Sequence, residues 1–263
     1  MIQSITFGDK NTWDDWKILP VERPVFAPPK PKTTYIDIPG GNGALDLSES
    51  LTGYPVFENR TGSFKFRVIN DEIDQILGET PSVIDKDWCE RYTEIMEYLH
   101  GRVMNAVLAD DPNFFYRGRF TVDGWESGDT WSIITIGYNV EPYKWSVISS
   151  VDPWYWDNFN FEKDIILSDS FIGITIDSPN EWTSDVFDGI LFGKAPISPI
   201  FNVTNSSGLR VKMLNNSFGI NEEVYLTDGR NVINDFIFYG QDSYTLEFKG
   251  IGTVSIEFRV GRL

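Results

Sequence analysis

The side chains that could do chemistry are few, and their spacing does not assemble them. His100 is the sole histidine and Cys89 the sole cysteine. His100 falls at the end of a helical pattern, where an imidazole can donate to the last carbonyls, a capping or interface role rather than a catalytic one. Cys89 follows Trp88 with no base nearby in sequence, so it reads as an inert packing thiol. One cysteine permits neither an intrachain disulfide nor a cysteine metal cluster, and with a single histidine the common zinc spacings are excluded. Gly40-Gly41-Asn42-Gly43 is too compressed for a dinucleotide fingerprint and no helical pattern follows it, so it is a turn. A glycosidase needs only two carboxylates beside a cleft, but 39 acidic residues guarantee accidental pairs and carry no signal. The acidic run from Asp152 to Asp169 does not match the ordered spacing of a calcium loop. The most suggestive cluster is Trp154-Tyr155-Trp156, with Trp182 further on. Such rings can stack on sugar faces, and they can equally fill a seam between two domains. No catalytic residue, cofactor or metal site is predicted.

Composition narrows the partners. The 263 residues suffice for one large or two medium domains, at roughly 150 residues each. A net charge of −17 opposes nucleic-acid binding by phosphate neutralisation and makes identical copies repel. Aromatic residues make up 15% of the chain, which favours pleated sheets and large contact surfaces. The start, Met1 to Asp9, lacks a basic segment followed by an apolar run, and no stretch approaches about 18 apolar residues. Neither a signal peptide nor membrane insertion is expected; the chain reads as a soluble cytoplasmic product. Asn-X-Ser/Thr triplets at Asn59, Asn202, Asn205 and Asn215 therefore read as chance.

The elements follow from periodicity. Pro20, Pro24, Pro28, Pro29 and Pro31 lie within 12 residues, which rules out a helix or a central strand there. The first 35 residues read as irregular, an ordered arm lying on a neighbour or on the next domain. From Ser63 to Ile69, Phe64, Phe66 and Val68 face one way and Lys65 and Arg67 the other, a half-buried strand. Trp88, Tyr92, Ile95 and Leu99 form one apolar stripe, placing a helix at about 85–100 with Gly101 as its stop. Strands follow at Val103–Leu108, Phe114–Val122 and Trp131–Val140, with turns at Asp110-Asp111-Pro112-Asn113 and near Ser127-Gly128-Asp129. The pattern breaks over 141–163, the predicted interdomain connection. Beyond it the chain is all β, with turns at Asn205-Ser206-Ser207-Gly208, Asp228-Gly229 and Gly250-Ile251-Gly252, which means a sandwich or barrel. The expected fold is mainly β in two domains: residues 1–145, β-rich with one α-helix, and residues 146–263, a β-sandwich.

Several stretches together resemble a known family. Ala44-Leu45-Asp46-Leu47-Ser48-Glu49-Ser50-Leu51-Thr52-Gly53 runs into Tyr54-Pro55-Val56-Phe57-Glu58-Asn59-Arg60, and the Phe64-Lys65-Phe66 strand follows. Then come Leu99-His100-Gly101, Asp110-Asp111-Pro112 and Tyr116-Arg117-Gly118-Arg119. In order and spacing over about 44–140, this resembles the N-terminal domain of siphophage distal tail proteins, the Dit family. The C-terminal half is similar more loosely, through its length, its β-pattern and its final Arg259-Val260-Gly261-Arg262-Leu263.

The resemblance implies a structural virion protein at the tail tip, made in the host bacterial cytoplasm. Its N-terminal domains would form a homo-hexameric ring joining the tail tube protein to the tip hub or baseplate, around a channel that DNA traverses without specific binding. Acidity argues that no basic belt lines that channel. The C-terminal domain would be galectin-like, a docking platform for receptor-binding proteins. The candidate subunit interface is Leu47, Leu51, Tyr54, Asn59 and Arg60. A carbohydrate-binding module used in host recognition, with Trp154, Tyr155, Trp156 and Trp182 as its aromatics, is the alternative, and an enzyme of unstated chemistry is the third class.

Overall fold

The computed structural model describes residues 3–68, 88–127, 132–152, 171–187, 195–215, 220–239 and 244–263. The chain divides into two compact units, Met1–Lys144 and Trp145–Leu263. The described residues are mainly β, with one helix.

In the first unit the strands are β1 (Ile5–Phe7), β2 (Lys10–Asn11), β3 (Ile18–Pro20), β4 (Tyr35–Asp37), β5 (Ala44–Asp46), β6 (Arg60–Val68), β7 (Val103–Leu108), β8 (Phe114–Ser127) and β9 (Ser132–Val140). Seven of them form an antiparallel sheet in the order β2-β1-β7-β8-β9-β6-β3, and β4 and β5 pair only with each other. The first 20 residues are therefore not irregular. Three strands of two or three residues were too short to show a period, yet Ile5, Phe7 and Ile18 are fully buried in the core.

Alternation builds the sheet. Phe64, Phe66 and Val68 point into the core with Phe120, Val122, Ile134 and Ile136, while Lys65 and Arg67 face out. The helix α1 (Trp88–Leu99) lays Ile95 and Leu99 against this inner face; the side chains of Trp88 and Cys89 lie outside the described residues. Gly101, at φ 75°, ends the helix in a conformation that L side chains disfavour, and its N–H bonds the Phe120 carbonyl of β8 at 2.8 Å. His100 does not cap a carbonyl. Its Nδ1 accepts the Val122 N–H at 3.1 Å, beside the bulge between Val122 and Gly124, so the imidazole braces β8. The predicted turn at 110–113 joins β7 to β8 as expected; the one near 127–129 lies largely outside the described residues.

β10 (Lys144–Ser146) carries the chain into the second unit, which comprises β11 (Ile174–Phe187), β12 (Ile200–Asn215), β13 (Ile220–Tyr225), β14 (Gly229–Val232), β15 (Tyr244–Glu257) and β16 (Gly261–Arg262). Here two expected turns are corrected. Asn205-Ser206-Ser207-Gly208 lies within β12 and Gly250-Ile251-Gly252 within β15, and the strands stay paired on both sides of each. Asn205, Gly208, Gly250 and Gly252 all take positive φ, which bends the strands without ending them. Ring packing shows how far they bend. Phe201 is paired beside Ile256, eight residues from Phe248 along β15, about 26 Å in a straight strand. The rings of Phe201 and Phe248 lie 6.4 Å apart. The sheet thus folds over itself. One layer holds the first half of β12 with β14, the other its second half with β13, and both close on one core that includes Phe236, Phe238, Leu246 and Ile256.

Removing the buried Ile95 side chain as Ile95→Ala should cost about 2–5 kcal/mol in chemical denaturation, because it empties a fully enclosed site beneath the helix.

Candidate assembly surface

The first unit carries exposed apolar side chains on an arm. Residues 27–59 leave the sheet and return to it. Lys32 N–H bonds Val56 O at 2.7 Å, Glu58 N–H bonds Lys30 O at 2.8 Å, and Leu47 N–H bonds Thr34 O at 2.9 Å. Between these contacts β4 and β5 pair, and Gly40 and Gly43, at φ 77° and 78°, make the tip. Every residue from 31 to 46 is exposed. A two-stranded ribbon alone in water is marginal, because neither face is covered. Here the uncovered residues include Tyr35, Ile36, Ile38 and Leu45, and Leu51 beyond them is 98% exposed.

The root of the arm is the opposite case. Phe26 is buried between the rings of Phe64, Tyr116 and Tyr138, stacked on Tyr116 with centroids 4.0 Å apart. The Tyr138 hydroxyl accepts the Ala27 N–H at 2.9 Å. Arg60, 6% exposed, reaches across the same place: Nε donates to Pro142 O at 2.8 Å, Nη1 to Ala27 O at 3.2 Å, and the guanidinium sits 5.4 Å from the Tyr116 ring centre. Burial pulls its pKa below the ordinary value, opposed by Tyr116 and Tyr138. The same burial pushes Tyr116 up. The Pro-rich arm expected to lie on another body is thus anchored on its own sheet.

The five sequence-selected interface residues separate accordingly. Leu51 stands clear of the chain, Leu47 and Tyr54 are half-buried along the arm, Asn59 is exposed and bonds Asn139 at 2.9 Å, and Arg60 turns inward as the clamp. What sequence missed is the exposed apolar set Tyr35, Ile36 and Ile38, on and just beyond β4, whose three-residue length shows no period. Loop 47–55 is shaped locally. Asp46 accepts from the hydroxyl and the N–H of Ser48, which lowers its pKa below 3.8.

Trp154, Tyr155 and Trp156 lie outside the described residues. Trp182 sits in the irregularity of β11 between Ser178 and Thr183, its ring 5.4 Å from Lys212 Nζ, and Lys212 pairs with Glu247 at 2.8 Å. Among the described residues, no group of three His, Cys, Asp or Glu side chains is placed to hold a metal.

No protein-family model and no curated protein matches the sequence. The structure has a full-length counterpart. The Dit protein (gp 19.1) of phage SPP1 superposes with a TM-score of 0.60, over 100% of both chains, at 14% identity. The fold is that of a siphophage distal tail protein. That Dit is described as a paradigm of the hub adsorption apparatus in phages infecting Gram-positive bacteria. A distal tail fold accounts for the mainly β character and the lone described helix.

Two outcomes follow from the arm. Arg60→Ala should lower stability by roughly 1.5–3 kcal/mol, the worth of hydrogen bonds from a charged donor, and should speed amide exchange in residues 27–59 ahead of the sheet. For Asp46 the folded pKa lies below the unfolded one, so its bonds to Ser48 hold fully above about 3.8 and fail as pH falls through the lowered value. Carboxyl NMR titration should show Asp46 returning to the ordinary range in Ser48→Ala.

Proposed function

We propose that this chain is a structural protein of the tail tip of a long-tailed phage, assembled through its first unit into a ring between the tail tube and the tip hub. The observation that carries the reading is the end-to-end likeness to a distal tail protein, covering both chains fully. The exposed arm supports it: apolar side chains on a ribbon with no cover of its own call for a neighbouring subunit. By analogy of fold, the ring is a hexamer with a central passage for DNA, and its site of action is the virion. Division into a ring-forming unit and an outward sandwich, galectin-like in plan, is part of the same proposal. The second unit then serves as a platform for receptor-binding proteins. No step of chemistry is assigned to any residue.

A carbohydrate-binding role for the second unit is favoured by one feature, the Trp182 ring on Lys212, which is paired with Glu247. That cation is itself held on the Trp182 ring, so the aromatic surface is partly used within the unit, and the platform reading is preferred.

The test is direct. Purified protein imaged in negative stain should give rings of sixfold symmetry. Leu45→Asp with Leu51→Asp should leave a folded chain of unchanged circular dichroism that forms no ring. Monomers of the wild-type chain under all conditions, alone and with tail tube or hub protein present, would refute the reading.

A further inference from the structure

The sheet of the first unit has two faces, and the inner one is filled by the buried core. On the outer face, Lys65 and Arg67 of β6 and Arg117 and Arg119 of β8 are all exposed. The registers place them on the same side. Phe64, Ile136 and Val122 are aligned across β6, β9 and β8 and are buried, and so are Phe120 and Tyr138, while the intervening residues alternate outward. None of the four cations is ion-paired among the described residues, although Arg119 donates to the Gly101 carbonyl. The face also holds three carboxylates: Asp123, lying against Gly137 and accepting from Thr121, Glu126 at its margin, and Glu141, which follows the buried Val140 and whose N–H bonds the Arg117 carbonyl at 2.8 Å. In a chain with 39 acidic and 22 basic residues, four exposed cations on one sheet face, none ion-paired among the described residues, are against the composition.

The arm has the opposite character. Its distal part, from Thr33 to Val56, carries Asp37, Asp46 and Glu49 and no lysine or arginine, while Lys30 and Lys32 lie at its root with Glu58. Asp37 pairs in register with Ala44, Asp46 ends β5, and Glu49 lies in the turn beyond it. On the sheet, Arg119 and Lys65 are two strands apart and four residues offset, about 16 Å. Exposed apolar side chains accompany each set: Tyr35, Ile36, Ile38 and Leu45 on the arm, Val103 beside Arg119 on the face.

We infer that the basic outer face of the first-unit sheet receives the acidic, apolar arm of an adjacent copy of this chain. The contact rests on the ring reading and says how the ring closes. Arm and face are different patches, so each subunit donates one and offers the other. Such head-to-tail contacts close into rings when the rotation permits. Complementary charge on two patches also lets copies with a net charge of −17 meet in one orientation and repel in others.

The experiment uses charge reversal in the full chain. Arm variant Asp37→Lys with Glu49→Lys, and face variant Arg67→Glu with Arg117→Glu, should each keep the wild-type melting temperature. In sedimentation velocity at about 0.15 M salt, where the Debye length is about 8 Å, each should weaken assembly at least tenfold. All four changes in one chain should restore it, which mere loss of solubility or fold would not. Rings unaffected by either reversal overturn this contact and leave the ring reading standing; a wild-type chain that never assembles overturns both. Salt-sensitive binding of duplex DNA by the wild-type ring, lost in the face variant, would assign the cations to nucleic acid instead and overturn the proposal.

Discussion

The first unit depends on one buried cation. Among the described residues Arg60 has no carboxylate partner, and its guanidinium bridges two carbonyls from distant segments, Ala27 where the arm departs and Pro142 beyond β9. A buried charge is costly unless its donors are met. Nη2 has no hydrogen-bond partner, so two carbonyls and the face of Tyr116 must suffice. Lysine could not do this: a point charge cannot span two acceptors from a planar fork while lying over a ring. With Phe26 seated among Phe64, Tyr116 and Tyr138, the clamp makes the arm's root part of the sheet's core. Everything beyond residue 30 can then be exposed without being unanchored.

The second unit solves a different problem by a related device. Its long strands must serve two layers at once, and they do so by bending at residues whose backbone tolerates positive φ. Gly250 shows how little room there is, since an added Cβ would come within 2.6 Å of the Gly208 carbonyl oxygen. Pro179 in β11 falls within the irregularity between Ser178 and Thr183, where the ladder asks for no regular donor. Because pairing continues through each bend, both layers share one hydrogen-bond network and one core, and neither can open without straining the other.

Much of this was legible in sequence where a period ran long enough. The alternation of Phe64, Phe66 and Val68 and the inward Ile95 and Leu99 of the helical stripe were read correctly, as was the turn at 110–113, because several residues pointed the same way in each. β1 to β3 were invisible for want of length, although Trp16 and Ile18 are core residues. The bends at 205–208 and 250–252 mimic turns because a strand bend and a chain reversal ask the same thing of the backbone. Only the pairing partners tell them apart, and those are not local. Arg60 was picked as an interface residue through the family resemblance of the 44–60 segment. Its inward direction follows from strand parity, since it precedes Phe64 by four residues and shares its face.

The same parity argument bears on how an acidic protein associates with itself. Strand alternation lets a chain sort its charges by face with no change in composition: Phe64, Phe66 and Val68 of β6 fill the core, and Lys65 and Arg67 between them face the solvent. A long-range repulsion set by the net charge of −17 falls off within a Debye length in salt, whereas contacts at a few ångströms act inside that length and escape most of the screening. Net acidity and specific association are therefore compatible if the attractive charges are gathered and the repulsive ones spread. A protomer with an acidic arm and a basic sheet meets that condition. Uniform acidity would have favoured solubility alone, and it would have left the arm's apolar side chains without a directed place to go.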